Sequence, residues 1–205
     1  GQFCTNPGIA IVIDGADAAN FINDVTTLLS KVDSQMMLTD GISKAYRVGC
    51  ERMSSFGAVG QLKNASEINR TALPQLFVTT GKTWLTNFEL SEEVFGPSGL
   101  VVKAVDFSEM MEIAAKLTGQ LTCTLHMDDS DQNEAKKLLP ILERKAGRIL
   151  ANGFSTGVEV CESMVHGGPF PASTNFGATS VGTMSIRRFL RPVCYQNMPT
   201  LMLPT

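Results

Sequence analysis

Ile9-Ala10-Ile11-Val12-Ile13 decides the fold: an unbroken apolar run, mostly β-branched, set between Pro7-Gly8 and Asp14-Gly15. A strand with one wet face alternates apolar and polar residues, and this run does not. It reads as a strand buried on both faces, the mark of a parallel sheet covered by helices. Downstream, Phe21, Ile22, Val25, Leu28 and Leu29 recur at helical spacing, with Asp17 near the start. Ile42, Ala45, Tyr46, Gly49 and Met53 carry a second helical pattern, and Leu76-Phe77-Val78 and Leu100-Val101-Val102 read as further strands.

The alternation continues to residue 151. Asp106 and Glu109 have capping-box spacing ahead of Met110, Met111, Ile113, Ala114 and Leu117. Leu121, Cys123, Leu125 and Met127 then alternate with Thr122, Thr124 and His126, as a strand does. A helix is expected from Asp131 and Glu134 to the stop at Gly147, kinked or split by Pro140, and Arg148-Ile149-Leu150-Ala151 is the next strand. The pattern predicts an α/β fold, a mostly parallel sheet with helices on both faces. From Asn152 to Val181 the text turns rich in Gly, Pro, Ser and Thr, a loop long enough to be functional. The tail from Arg187 carries apolar residues but also Pro192, Pro199 and Pro204, which predicts a C-terminal edge strand for oligomer contact. The expected division is therefore one domain over 1–186 and an oligomerisation tail over 187–205.

Composition narrows the function classes. The chain has 205 residues, with 43% hydrophobic and 18% charged residues, enough apolar material for a packed core. A net charge of −3 without a Lys/Arg stripe gives no footprint for nucleic acid or an anionic membrane. No apolar run is long enough to span a bilayer. The five cysteines, at 4, 50, 123, 161 and 194, are odd in number, irregular in spacing and without C-x-x-C, which speaks against a disulfide framework or a zinc cage. The expectation is a reduced, cytoplasmic protein without a metal, whose cysteines mostly fill core space.

Cys4 asks for more. It stands before Thr5-Asn6-Pro7-Gly8, a turn leading into the buried strand, where backbone N–H groups surround a thiol as a nucleophile requires. The histidines that would make a Cys–His pair are His126, on the polar side of its strand, and His166, ahead of Gly167-Gly168-Pro169. Neither has an orienting carboxylate nearby in sequence; His126 reads as a surface or packed imidazole, and for His166 a loop-bracing hydrogen bond stands beside a substrate contact. Glu92-Glu93-Val94-Phe95-Gly96-Pro97 precedes the strand at Leu100 and puts Glu93 and Phe95 at a sheet edge. A carboxylate there is able to hold two ribose hydroxyls and an aromatic to pack on a planar ring. Taken alone, the segment reads as an ordinary turn with a solvated acid.

Taken together, the two motifs point to a family. Gly1-Gln2-Phe3-Cys4-Thr5 with Pro7-Gly8 resembles the thiol motif of aldehyde dehydrogenases, and Glu93-Val94-Phe95-Gly96-Pro97 resembles that superfamily's ribose-contact motif. Asn152-Gly153-Phe154 with Thr156-Gly157-Val158-Glu159-Val160 is similar to the family's substrate-funnel region. The segments His166–Ser173 and Arg188–Asn197 resemble the branch oxidising 2-oxoglutarate semialdehyde, with long-chain fatty aldehyde dehydrogenases beside it. The resemblance implies that Cys4 is the nucleophile and its own N–H an oxyanion donor. It implies that Glu93 and Phe95 bind the nicotinamide end of NAD or NADP, and that Phe154, Phe170 and, more weakly, His166 meet a small aldehyde. It also implies a homo-oligomer, and an N-terminal cofactor-binding domain supplying a general-base Glu, an oxyanion Asn and a ribose-contacting Lys. No Gly-rich strand–helix turn for a pyrophosphate occurs here, so the chain is read as a fragment that should not turn over alone. A non-catalytic interaction module, or acyl transfer without hydride chemistry, are the competing expectations. Glu93 and Phe95 speak against the second.

Overall fold

In the computed structural model, residues 1–60, 62, 70–154, 157–175 and 177–204 are described. The decisive run is β1 (Ile9–Ile13), followed by α1 (Ala16–Leu29), β2 (Gln35–Met36), α2 (Asp40–Ser55), β3 (Val59–Gly60), β4 (Thr71–Ala72) and β5 (Gln75–Thr80). Then come α3 (Gly81–Thr86), β6 (Ser98–Ala104), α4 (Phe107–Lys116), β7 (Gln120–Leu125), α5 (Gln132–Leu142) and β8 (Ala146–Ala151). Among the described residues the main sheet runs β1-β6-β5-β3, with β1, β6 and β5 parallel and β3 an antiparallel edge.

Sequence explains the layering. β6 sits between β1 and β5, and Leu100, Val101, Val102 and Ala104 are all at most 2% exposed, so both of its faces are covered. Leu100, Val102 and Ala104 pack with Phe77 of β5, Trp84 of α3, Leu90 of the 3-10 turn Phe88–Ser91, Ile113 of α4 and Leu117 just past its end, in the largest core cluster. Burying each such aliphatic side chain is worth about 1.5–3 kcal/mol. On the other face α1 lies over Val78 and Lys103, its Ile22, Val25 and Leu29 half-buried, while Phe21 and Leu28 of its apolar stripe stay exposed.

Three expectations need correction. α5 ends at Leu142 rather than at Gly147, running through Pro140, and Gly147 belongs to β8. A Cβ at Gly147 would collide with the Gly167 carbonyl, so the glycine serves a close backbone approach and not a helix stop. The capping box ahead of α5 is reciprocal between Asp128 and Asp131, and at α4 only half a box forms: Glu109 N–H donates to Asp106 Oδ1 at 2.8 Å, but the Glu109 carboxylate accepts from Val105 N–H. The third correction concerns the tail. Residues 187–204 contain no strand, only 3-10 turns at Thr183–Phe189 and Thr200–Met202, and Leu201 is fully exposed. A strand needs a partner edge, and among the described residues the tail pairs with none of the sheet edges; Pro192 and Pro199 further remove donors.

β7 and β8 form their own parallel pair, joined to the main body through α4 against α5, where Ala114, Leu138 and Leu142 are buried. β7 stops at Leu125. Met127 is instead gripped by Asn152, whose side chain accepts from Met127 N–H at 2.8 Å and donates to Met127 O at 2.9 Å. Asn152 takes φ of 50°, a left-handed conformation that Asn tolerates better than most residues. No helix among the described residues is long and apolar enough to cross a membrane.

Candidate active site at the amino ends of the parallel strands

The thiol turn is short and its geometry follows from its residues. Asn6 N–H closes it by donating to Phe3 O at 3.0 Å, and Cys4 stands exposed at its crest. The Cys4 N–H makes no hydrogen bond among the described residues, so it is available to an anion beside the sulfur. Past Pro7, Gly8 O accepts from Leu100 N–H at 2.9 Å, which starts the β1–β6 ladder at Ile9 opposite Leu100.

The acidic-aromatic segment runs beside this turn. Extended backbone alternates sides, and Val94 takes the inward one, packing against both the main core cluster and a smaller one of Met37, Tyr46 and Ala72. Gly49 of α2 makes room for it, since a Cβ there would lie 2.8 Å from Val94 Cγ1. Glu93 and Phe95 therefore face solvent, with Phe95 37% exposed. The neighbouring carboxylates differ. Glu92 is committed to Arg52 at 2.7 Å, whereas Glu93 has no hydrogen bond or ion pair among the described residues.

Tyr46 holds the segment in place. It is 1% exposed, its hydroxyl is shared between Leu73 O at 2.9 Å and Pro97 O at 3.3 Å, and its ring lies against Gly96. Gly96 has φ of 153°, and a Cβ would enter the Tyr46 ring, so this position takes glycine alone. Asn6 Nδ2 reaches Gly96 O at 3.4 Å and joins the thiol turn to the motif.

Cys4, Glu93 and Phe95 thus come together at the amino ends of β1 and β6. The remaining sequence-derived candidates do not join them. Phe154, 76% exposed, pairs with His126 at 5.5 Å between ring centroids, past the carboxyl end of β8. Phe170, 78% exposed, follows Gly168 and Pro169, which pack on Gln120 and Gly119 at the amino end of β7. The two phenylalanines are separated by the length of β8, about 20 Å for six residues, so they do not form one wall. His166 donates its backbone N–H to Thr179 Oγ1 at 3.4 Å, and its Nδ1 is buried without a partner among the described residues. No hydrogen bond among the described residues links these three to the thiol turn. Thr156 of the funnel-like segment lies outside the described residues.

Among the other cysteines, Cys123 lies in β7 against Ala114 and Leu138, and burial pushes its thiol pKa up, away from reactivity. All five cysteines are free, and no group of three His, Cys, Asp or Glu side chains gathers for a metal among the described residues. Sequence reasoning passed over Tyr46, Asn6 and Gln2. Tyr46 was visible only as one apolar position of a helix; that its hydroxyl would be buried against carbonyls depends on long-range packing.

No family model matches the chain. The alpha-ketoglutaric semialdehyde dehydrogenase 2 of Azospirillum brasilense is 47% identical over 206 residues, covering 100% of this chain and 39% of the relative. The alpha-ketoglutaric semialdehyde dehydrogenase of Acinetobacter baylyi is 43% identical over 208 residues, with the same coverage of 100% and 39%. The chain thus spans about two fifths of the length of these curated relatives. Solved structures share the fold: an aldehyde dehydrogenase from Bacillus cereus in complex with NAD+ has a TM-score of 0.61 at 17% identity, over 77% of this chain and 33% of that one. An NADP-dependent glyceraldehyde-3-phosphate dehydrogenase from Bacillus halodurans, in complex with NADP, has a TM-score of 0.61 at 18% identity, over 76% of this chain and 33% of that one.

Proposed function

We propose that the chain supplies the thiol-bearing part of an aldehyde dehydrogenase, because the two semialdehyde dehydrogenases at 47% and 43% identity match it along its whole length. The substrate is 2-oxoglutarate semialdehyde, oxidised to 2-oxoglutarate with NAD or NADP. The observation that carries this reading is the joining of the Cys4 turn to the Glu93–Pro97 segment through Asn6, Gly96 and Tyr46. The substrate assignment rests on the names of both curated relatives.

Each residue has a task in that chemistry. The Cys4 thiolate adds to the aldehyde carbon, and the new oxyanion receives the unpaired Cys4 N–H. The residues present fit the nicotinamide end of the cofactor: Glu93 offers an uncommitted carboxylate to two ribose hydroxyls, and Phe95 an exposed ring edge beside it. Bound there, a nicotinamide supplies a hydride acceptor. Cys4 then holds the acyl group as a thioester until water cleaves it and frees the thiol. The pyrophosphate cradle, the general base and a second oxyanion donor are assigned to a segment outside these 205 residues. The tail over 187–205 is assigned to subunit contact, on the strength of its exposed Phe189, Leu190, Val193 and Leu201. Five free cysteines fit a reducing, cytoplasmic setting.

The test is Cys4→Ser in the full-length protein. Aldehyde oxidation should vanish while cofactor binding persists, since an alcohol is a far weaker nucleophile than a thiolate. Near-normal turnover would remove the reading.

A further inference from the structure

The segment ahead of Cys4 is fastened by a side chain that the chemistry just described does not use. Gln2 turns its amide to the main chain around β2: its Oε1 accepts from Leu38 N–H at 2.7 Å, and its Nε2 donates to Met36 O at 3.3 Å. A side-chain amide in this pose acts as a strand would, satisfying one donor and one acceptor of the same extended segment. Met36 and Leu38 are 64% and 72% exposed, so this is no core contact made for burial.

What it grips is rigid. Between the two bonded residues Met37 is 1% exposed and packs with Tyr46 and Ala72. Met37 N–H donates to Arg70 O at 2.8 Å, and Arg70 Nη1 donates to Leu38 O at 3.1 Å. Met37 also lies under Gly96, the residue joined to Asn6 on the far side of the thiol turn. The turn thus has two anchors, Gln2 before Cys4 and Asn6 after it. Both lead to the cluster around Met37 and Tyr46 that carries Gly96 and Pro97.

We propose that Gln2 is a positioning residue for Cys4: by fastening the chain to Met36 and Leu38 it fixes the sulfur relative to Glu93 and Phe95. This rests on the function proposed above. Misplacing a reacting atom by about 1 Å costs roughly a hundredfold in rate, so losing one of two anchors should register in turnover and not in cofactor affinity.

The experiment uses the full-length protein with Gln2→Met, which keeps length and bulk without polar atoms. Gln2→Glu is its companion, keeping the acceptor for Leu38 N–H and losing the donor to Met36 O. For Gln2→Met, kcat should fall about tenfold to a hundredfold. KM for the nicotinamide cofactor should stay within about twofold, and amide exchange at Leu38 should accelerate, because its N–H loses its acceptor. Gln2→Glu should lie between Gln2→Met and the parent; if Gln2→Met does not fold, Gln2→Glu alone carries the test through its kcat and Leu38 exchange. The proposal is overturned if kcat stays within about twofold of the parent. It is equally overturned if kcat, cofactor KM and melting temperature shift together, which marks a general structural role. Cys4→Ser measured alongside separates the two ideas. Turnover surviving that change sinks the function, whereas an inert Gln2 in an enzyme that needs Cys4 sinks only the positioning.

Discussion

Gly96→Ala puts one methyl group where Tyr46 already is. The added Cβ would lie inside contact of Tyr46 Cδ2, 2.8 Å from Cε2 and 3.1 Å from Met37 Cε. The ring has little room to retreat, being 1% exposed with its hydroxyl held by Leu73 O and Pro97 O. Overpacking of this kind costs about 1–3 kcal/mol. The backbone adds its own penalty, since φ of 153° is a glycine conformation and holding alanine there costs about 1–3 kcal/mol. Together these predict a loss of roughly 2–6 kcal/mol, read as a fall of about 4–24 °C in melting temperature for a protein of this size. Urea unfolding at 25 °C gives the free energy directly. Gly8→Ala is the control: nothing lies within 4 Å of its added Cβ, and its effect should stay within about 0.5 kcal/mol. If Gly96→Ala matched that control, the packing of Tyr46 beneath the motif would be wrong, and with it the explanation of how the thiol turn and the Glu93–Pro97 segment are held together.

Glu93→Gln should slow single-turnover hydride transfer by about tenfold to a hundredfold and weaken overall cofactor affinity less, because a charged acceptor for two hydroxyls is lost at one end of a long ligand; an unchanged rate would reduce Glu93 to a solvated acid. Cys123 should be alkylated by iodoacetamide more slowly than Cys4 at neutral pH, because burial disfavours its thiolate. Its raised native pKa also gives stability that is fully present below the ordinary value of 9.0 and is lost as pH rises through the native value. Cys123→Ala should therefore flatten the alkaline limb of a stability–pH curve, and an identical limb would contradict this. Comparing kcat/KM for 2-oxoglutarate semialdehyde and dodecanal should favour the former clearly; the reverse preference would move the substrate to the fatty aldehydes.

Much of the fold was legible because its signals are local. The apolar run 9–13 and the run at Leu100-Val101-Val102 lack polar alternation, and they are neighbouring parallel strands; the second is covered on both faces, whereas the first is the half-buried edge strand of the sheet, with Ile13 exposed, because β6 covers one edge only. Helix beginnings were legible where a side chain caps its own backbone, as Asp106 does. Gly147 misled because a glycine needed for close approach to Gly167 looks the same in sequence as one ending a helix. At the site, Cys4, Glu93 and Phe95 were found by motif, but the residues that hold them were not. Tyr46, Asn6 and Gln2 act through contacts up to 51, 90 and 36 residues away along the chain, respectively, and no local pattern encodes those. Phe154 and Phe170 were grouped by resemblance, and β8 holds them apart.

The register of β1 on β6 has a consequence for how this protein tolerates changes of length. Ile9 faces Leu100, so Cys4 and Phe95 each stand five positions ahead of a paired residue. The ladder acts as a ruler with two marks cut at the same height. Insertions between β1 and the Glu93 segment, in the turns around α1 or α2, leave both marks where they are. One residue gained or lost between Cys4 and Ile9, or between Phe95 and Leu100, slides one mark past the other by up to about 3.3 Å. That is the width of a bond-forming approach, and compensation would require an equal change in the other segment, some ninety residues away in the gene but next to it in space.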